Sequence, residues 1–234
     1  MAARAPLVMI PGLLNNEDLW REQIQRLSDV AHCLVPCGQY DMDNVTDMAR
    51  AVLAEAPERF ALAGLSMGGY ICHEIMRQAP ERVERLALLD TSARPDSPEQ
   101  TQRRRSFIQL ASLGKFRGIT PQLLPFLLHP KNVNNTALVD RLMAMADFIG
   151  VERFVKQQTA IMGRPDSRPQ LSGYAMPCLV LCGEADALTP PEVHEEMAAL
   201  IPHAKLAIIA DAGHMAPMER AGKVAELLRS WLKA

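Results

Sequence analysis

The sequence predicts an α/β fold, a mostly parallel sheet with helices on both faces. Three observations lead there. Short apolar runs of strand length alternate with amphipathic helical patterns up to residue 90, and the alternation resumes from residue 174. Such alternation needs crossover connections, which set neighbouring strands parallel and lay helices on both faces. Between the two stretches, residues 91–173 hold helical patterns and no clear buried strand. The predicted organisation is therefore a core built from 1–90 and 174–234, with a helical insertion at 91–173.

The elements follow in order. Residues 7–10, Leu-Val-Met-Ile, read as a buried strand ahead of the Pro11-Gly12 break. Residues 15–28 read as a helix with Leu19, Trp20, Ile24 and Leu27 on one face, and a short strand follows near 32–36. The stretch 44–56 is helical, with Val45, Met48, Val52 and Leu53 aligned. Residues 60–63 form a strand that ends at Gly64. Residues 68–79 form a helix with Ile71, Cys72, Ile75 and Met76 as its inner stripe, and Pro80 stops it. Residues 83–89 are the next strand. In the insertion, helical patterns cover 100–113, 121–128, 137–149 and 151–162, with breaks at Gly114, Gly118, Pro130 and Arg164-Pro165. Strand 178–181, helix 191–200, strand 205–209 and helix 221–231 complete the chain.

Composition narrows the function. The 25 Lys+Arg and 27 Asp+Glu leave a formal net charge of −2, which argues against the basic face of a nucleic-acid binder. With 48% hydrophobic and 22% charged residues, the chain matches an ordinary globular protein able to bury a large core. No apolar run approaches the roughly 18 residues of a membrane span. The apolar stretch at 7–10 is too short for a secretory signal, so the expected location is cytoplasmic. The five cysteines, Cys33, Cys37, Cys72, Cys178 and Cys182, show neither CxxC nor a zinc spacing and are expected as reduced thiols. Neither a metal nor an organic cofactor is called for.

In a parallel sheet, ligands bind at the carboxyl ends of the strands, so chemistry is sought there. Gly64-Leu65-Ser66-Met67-Gly68-Gly69 follows a predicted strand and opens a helix. This is Gly-x-Ser-x-Gly in the strand–turn–helix setting that lifts a serine hydroxyl into a cleft. The Met67 N–H then sits at a helix N-terminus, where unpaired donors and the dipole favour negative charge. A serine needs a base. Of six histidines, only His214, in Asp211-Ala212-Gly213-His214, lies just beyond a late strand. The base needs a carboxylate to fix its tautomer. Asp186, in Gly183-Glu184-Ala185-Asp186, follows strand 178–181, ahead of Thr189-Pro190, where Thr189 is expected to cap the next helix. Asp90, Asp211 and Glu184 are its rivals. A second oxyanion donor is expected from the turn after the first strand, with Leu13 N–H as the candidate beside Met67 N–H.

These pieces together resemble the α/β-hydrolase fold superfamily over essentially the whole chain. The resemblance rests on Pro11-Gly12, the Gly64–Gly69 elbow, Gly183-Glu184-Ala185-Asp186 with Thr189-Pro190, and Ala212-Gly213-His214. Size and insertion are most similar to small bacterial carboxylesterases and enol-lactone hydrolases, in which the insertion is a cap over the pocket. Many relatives carry His where Pro11 stands here. The first strand comes early, so about six strands are expected rather than eight.

The resemblance implies a serine hydrolase that cleaves a carboxylic ester or lactone of a small to medium apolar substrate. Catalytic Ser66, His214 and Asp186 would work with oxyanion donors Leu13 and Met67. Phe107, Leu110, Phe126, Leu127, Met143, Met145, Phe148 and Met162 are candidates for the apolar underside of the cap, and Arg103-Arg104-Arg105 reads as a solvated helix face. C–C bond hydrolysis, cofactor-free haloperoxidase chemistry and ligand binding on the same scaffold stay open at this point. A dinucleotide-binding oxidoreductase fits less well, because residues 64–69 do not form Gly-x-Gly-x-x-Gly. The expected partner is a small molecule, with no nucleic acid and no membrane.

Overall fold

The computed structural model describes residues 4–116 and 118–234; Met1 to Ala3, which open the predicted core, lie outside the described residues. Six strands form one sheet: β1 (Ala5–Ile10), β2 (Ala31–Leu34), β3 (Phe60–Leu65), β4 (Val83–Leu89), β5 (Cys178–Gly183) and β6 (Lys205–Ile209). Their order across the sheet is β2-β1-β3-β4-β5-β6, and every pair is parallel. β3 and β5 are buried along their whole length, as strands covered by helices on both faces must be. The core divides by strand alternation. Leu7 and Met9 join one apolar cluster with Leu65, Leu181 and Trp231. Val8 and Ile10 join the other with Met48, Ile71 and Met197.

The helices of the core are α1 (Arg21–Leu27), α2 (Val45–Glu55), α3 (Met67–Gln78), α7 (Pro191–Leu200), α8 (Ala216–Glu219) and α9 (Ala221–Lys233). Between β4 and β5 lie α4 (Pro98–Ser112), α5 (Leu124–Leu127) and α6 (Thr136–Met162), with no strand among the described residues there. The predicted helix 15–28 is instead a 3-10 turn, Glu17–Trp20, followed by the short α1; the Asn16 side chain caps the tighter turn by accepting the Asp18 N–H at 2.9 Å. β2 stops at Leu34 rather than running to residue 36, where Pro36 has no N–H for the ladder. β3 runs two residues past the predicted end. Two predicted helices appear as α6, broken at Gly150 with φ 72°, a backbone that suits glycine.

The β4–β5 segment is tied to the core by ion pairs. Arg141 of α6 bonds Asp18 and Glu22 at 2.7 Å each, and Arg153 pairs with Asp41 at 3.0 Å. Arg104 and Arg164 share Asp96 at 2.6 Å each, so the Arg103–Arg105 run is not a purely solvated face. Of the apolar residues expected on an underside, Met145 is buried, but Leu110, Phe126, Met143 and Phe148 stand 43–57% exposed and face solvent. No helix among the described residues is long and apolar enough to cross a membrane.

Candidate active site

The site is built where β3 turns into α3. Ser66 has φ 54° and ψ −114°, a strained backbone for a side-chain-bearing residue. The surroundings enforce it. A Cβ on Gly64 would lie 2.5 Å from the Gly68 backbone, and one on Gly68 would lie 2.2 Å from the Ile10 carbonyl. The start of α3 therefore packs directly on the end of β1. The Ser66 carbonyl accepts the Thr91 hydroxyl at 2.7 Å, and the Thr91 N–H donates to His194 Nε2 at 2.9 Å.

The three predicted side chains meet above this turn. The Ser66 hydroxyl lies 2.9 Å from His214 Nε2. His214 Nδ1 lies 2.8 Å from Asp186 Oδ2. A tautomer that donates Nδ1–H to the carboxylate leaves Nε2 free to accept the serine hydrogen. Asp186 and His214 are only 2% and 3% exposed, so water does not compete for these bonds. Asp186 Oδ1 accepts the Leu188 and Thr189 N–H groups at 2.9 and 3.0 Å. Oδ2 also accepts the Thr189 hydroxyl at 2.8 Å. Burial pushes the Asp186 carboxyl up, but the charge and hydrogen bond of His214 and the Thr189 donors outweigh it and hold it below the usual range. The expected cap by Thr189 does not form: α7 begins after Pro190 with no side-chain cap, because the carboxylate claims that hydroxyl.

The rivals for the acid have other tasks. Asp90 is wholly buried, with φ 44°, and its Oδ1 accepts the Gly183 N–H at 2.9 Å. Burial, then the negative charge of Asp186, push its carboxyl well above the usual range. Glu184 accepts the Asp211 N–H at 2.6 Å, and Asp211 pairs with Lys131 and Arg220. His129, Glu184 and Asp211 bring three ligand-type atoms within 4.8 Å of one another. His129 Nδ1 accepts the Lys131 N–H at 3.1 Å, its Nε2 faces Glu184 Oε1 at 3.8 Å, and Asp211 carries its two cations. The cluster is an ion-pair knot at the edge of the site.

The two predicted oxyanion donors lie on the adjoining turns. Met67 opens α3, so its N–H has no carbonyl a turn behind it. Leu13 lies in the turn closed by the Asn15 N–H on the Gly12 carbonyl at 3.2 Å. Sequence reasoning missed Thr91 and His194, which hold the Ser66 carbonyl end of the elbow. It also missed Glu219, whose Oε1 accepts the Gly213 N–H at 2.7 Å beside His214. The one signal for Glu219 was its place shortly after the histidine. An imidazole between a hydroxyl and a buried carboxylate, near two peptide N–H groups, has the parts needed to activate an alcohol and stabilise an oxyanion.

Known proteins share this architecture. A pimeloyl-[acyl-carrier protein] methyl ester esterase of Aliivibrio salmonicida is 27% identical, over 89% of this chain and 84% of the relative. A thermophilic esterase from Thermogutta terrifontis superposes with a TM-score of 0.89 at 29% identity, covering 98% of this chain and 89% of that one. The enol-lactonase from Burkholderia xenovorans shares the fold, with a TM-score of 0.86 at 23% identity over 100% of this chain and 93% of its own. The model of the alpha/beta hydrolase fold matches residues 5–221, and the chain belongs to that family.

Proposed function

We propose that this chain is a serine hydrolase that cleaves a carboxylic ester or lactone of a small to medium apolar substrate. The observation that carries the reading is the unbroken relay from Ser66 Oγ to His214 Nε2 and from His214 Nδ1 to Asp186, at 2.9 and 2.8 Å. His214 takes the Ser66 proton as Oγ attacks the carbonyl carbon. The carbonyl oxygen becomes an oxyanion held by the Leu13 and Met67 N–H groups. The protonated imidazole, supported by Asp186, hands its proton to the leaving alcohol as the C–O bond breaks. Water then attacks the acyl-Ser66 ester with His214 again as base, which frees the acid and the serine. In this reading α4 to α6 act as a cap, over 91–173, that bounds the pocket. The esterase names of the A. salmonicida and T. terrifontis relatives support an ester substrate.

A fluorophosphonate probe is expected to label the wild type at Ser66 and to leave Ser66→Ala unlabelled. Equal labelling of that variant sinks the proposal. A panel of p-nitrophenyl esters of graded acyl length, beside lactones and a C–C cleavage substrate, then sizes the pocket and separates the reaction types.

A further inference from the structure

A second line of buried hydrogen bonds runs behind Ser66, His214 and Asp186. Thr91 and His194 are both 0% exposed. The Thr91 hydroxyl donates to the Ser66 carbonyl at 2.7 Å. Glycine at position 69 admits it, since a Cβ there would lie 2.3 Å from Thr91 Oγ1. The Thr91 N–H in turn donates to His194 Nε2 at 2.9 Å. Nε2 therefore carries no hydrogen, and the ring proton sits on Nδ1, which faces the Pro190 carbonyl at 3.3 Å. Only the neutral ring fits both partners. Burial keeps it neutral, taking His194 down to about 4 against the pull of the Asp186 charge. Pro190 directly follows Thr189, whose N–H and hydroxyl hold the Asp186 carboxylate at 3.0 and 2.8 Å.

We propose that His194 is a positioning residue: through Thr91 it steadies the backbone of Ser66, and through Pro190 it ties that backbone to the loop that carries Asp186. The inference rests on the serine-hydrolase reading and adds to it a residue that touches neither substrate nor the reacting atoms. The Ser66 backbone is strained at φ 54°. Its carbonyl also accepts the Gly69 and Tyr70 N–H groups at 2.9 and 3.4 Å, both from the start of α3. Thr91, just past β4, is the donor that reaches the elbow from outside it. Loosening this chain lets Ser66 Oγ drift from His214 Nε2, and such drift slows the chemical step more than it weakens binding.

The test measures kcat and KM on p-nitrophenyl butyrate, and the rate of fluorophosphonate labelling, in the full chain. Thr91→Val keeps the shape and removes the hydroxyl, while Thr91→Ser keeps the hydroxyl. His194→Leu removes both ring nitrogens, while His194→Gln keeps an acceptor for the Thr91 N–H. Thr91→Val and His194→Leu are each expected to lower kcat and labelling about tenfold, the scale of one buried group left unpaired. KM is expected to change less than about twofold. The Ser and Gln variants are expected to recover most of kcat. The links lie in series, so the double variant Thr91→Val/His194→Leu is expected to fall little below the worse single one. Three results overturn the proposal: kcat unchanged in Thr91→Val, equal losses in His194→Gln and His194→Leu, or single losses that multiply in the double variant. If His194→Leu does not fold, His194→Asn, too short to reach the Thr91 N–H, takes its place. A wild type that neither turns over any ester nor takes the fluorophosphonate sinks the serine-hydrolase reading, and this inference with it.

Discussion

Thr189 donates its hydroxyl to Asp186 at 2.8 Å, on the same carboxylate oxygen that faces His214. A donor at this point holds the acid in register with the imidazole. Thr189→Val keeps the shape and removes the donor. It is expected to lower kcat about tenfold, the scale of a hydrogen bond to a charged group. Asp186→Asn, which upsets the imidazole tautomer, is expected to cost about a thousandfold or more. Steady-state kinetics on one p-nitrophenyl ester checks both, and an unchanged kcat in Thr189→Val would show the hydroxyl to be dispensable.

Asp90 invites the opposite experiment. Its Oδ1 serves the Gly183 N–H, while Oδ2 has no partner among the described residues. Burial and the charge of Asp186 raise its carboxyl, so the folded chain holds this proton more tightly than the unfolded one. The stability this group contributes is present at low pH and is lost as pH rises through its folded value. Asp90→Asn keeps a carbonyl for Gly183 and removes the ionisation. It is expected to match or exceed the wild type in urea midpoint at pH 8, and to gain less at pH 6. A variant equally weakened at both values contradicts this account.

Two buried histidines act on stability at lower pH. Burial takes His194 down to about 4 and His73 to about 3. Below the ordinary histidine value near 6.5 the unfolded chain binds protons that the folded chain refuses. Their stabilisation is whole above that value and is lost as pH falls toward 4. For His194 alone the loss is on the order of 3 kcal/mol. Urea unfolding from pH 7 to 4.5 is expected to show the decline, and His194→Gln to flatten it.

Glu219 joins the loop before His214 to the segment between β4 and β5. One oxygen takes the Gly213 N–H at 2.7 Å, and the other takes the His129 N–H and the Asn132 amide at 2.8 Å each. Glu219→Ala leaves these donors without their acceptor and is expected to cost about 2 kcal/mol, with a fall in kcat as His214 loses its support. Glu219→Gln, with one acceptor left, should fall between. Thermal melts and kcat together read the result.

Much of this was legible because it is written in short-range chemistry. β4, α7 and β6 match their predicted bounds, since apolar runs and prolines mark their ends. Ser66, Asp186 and His214 each stand just past a strand, where the fold brings them together. What stayed hidden depends on partners distant in the chain. A threonine before proline reads as a helix cap, and only the folded chain shows Asp186 outbidding the helix for its hydroxyl. Asp90 reads as a turn residue until β5 arrives beside it. Gln157 reads as one polar position on a helix, and its bond to Leu14 spans 143 residues. The four residues of α8 are too few for periodicity to register.

Between the end of β4 at Leu89 and the start of β5 at Cys178, the Ser167 N–H donates to the Ala93 carbonyl at 2.8 Å and pinches the connecting segment together. Everything between them is a detour that starts and finishes at one doorway. Under the proposed function, chimeras that graft the corresponding stretch of a relative at these two points are expected to change which substrates are admitted, provided the graft keeps the bonds of Gln157 to Leu14 and of His129 to Glu219.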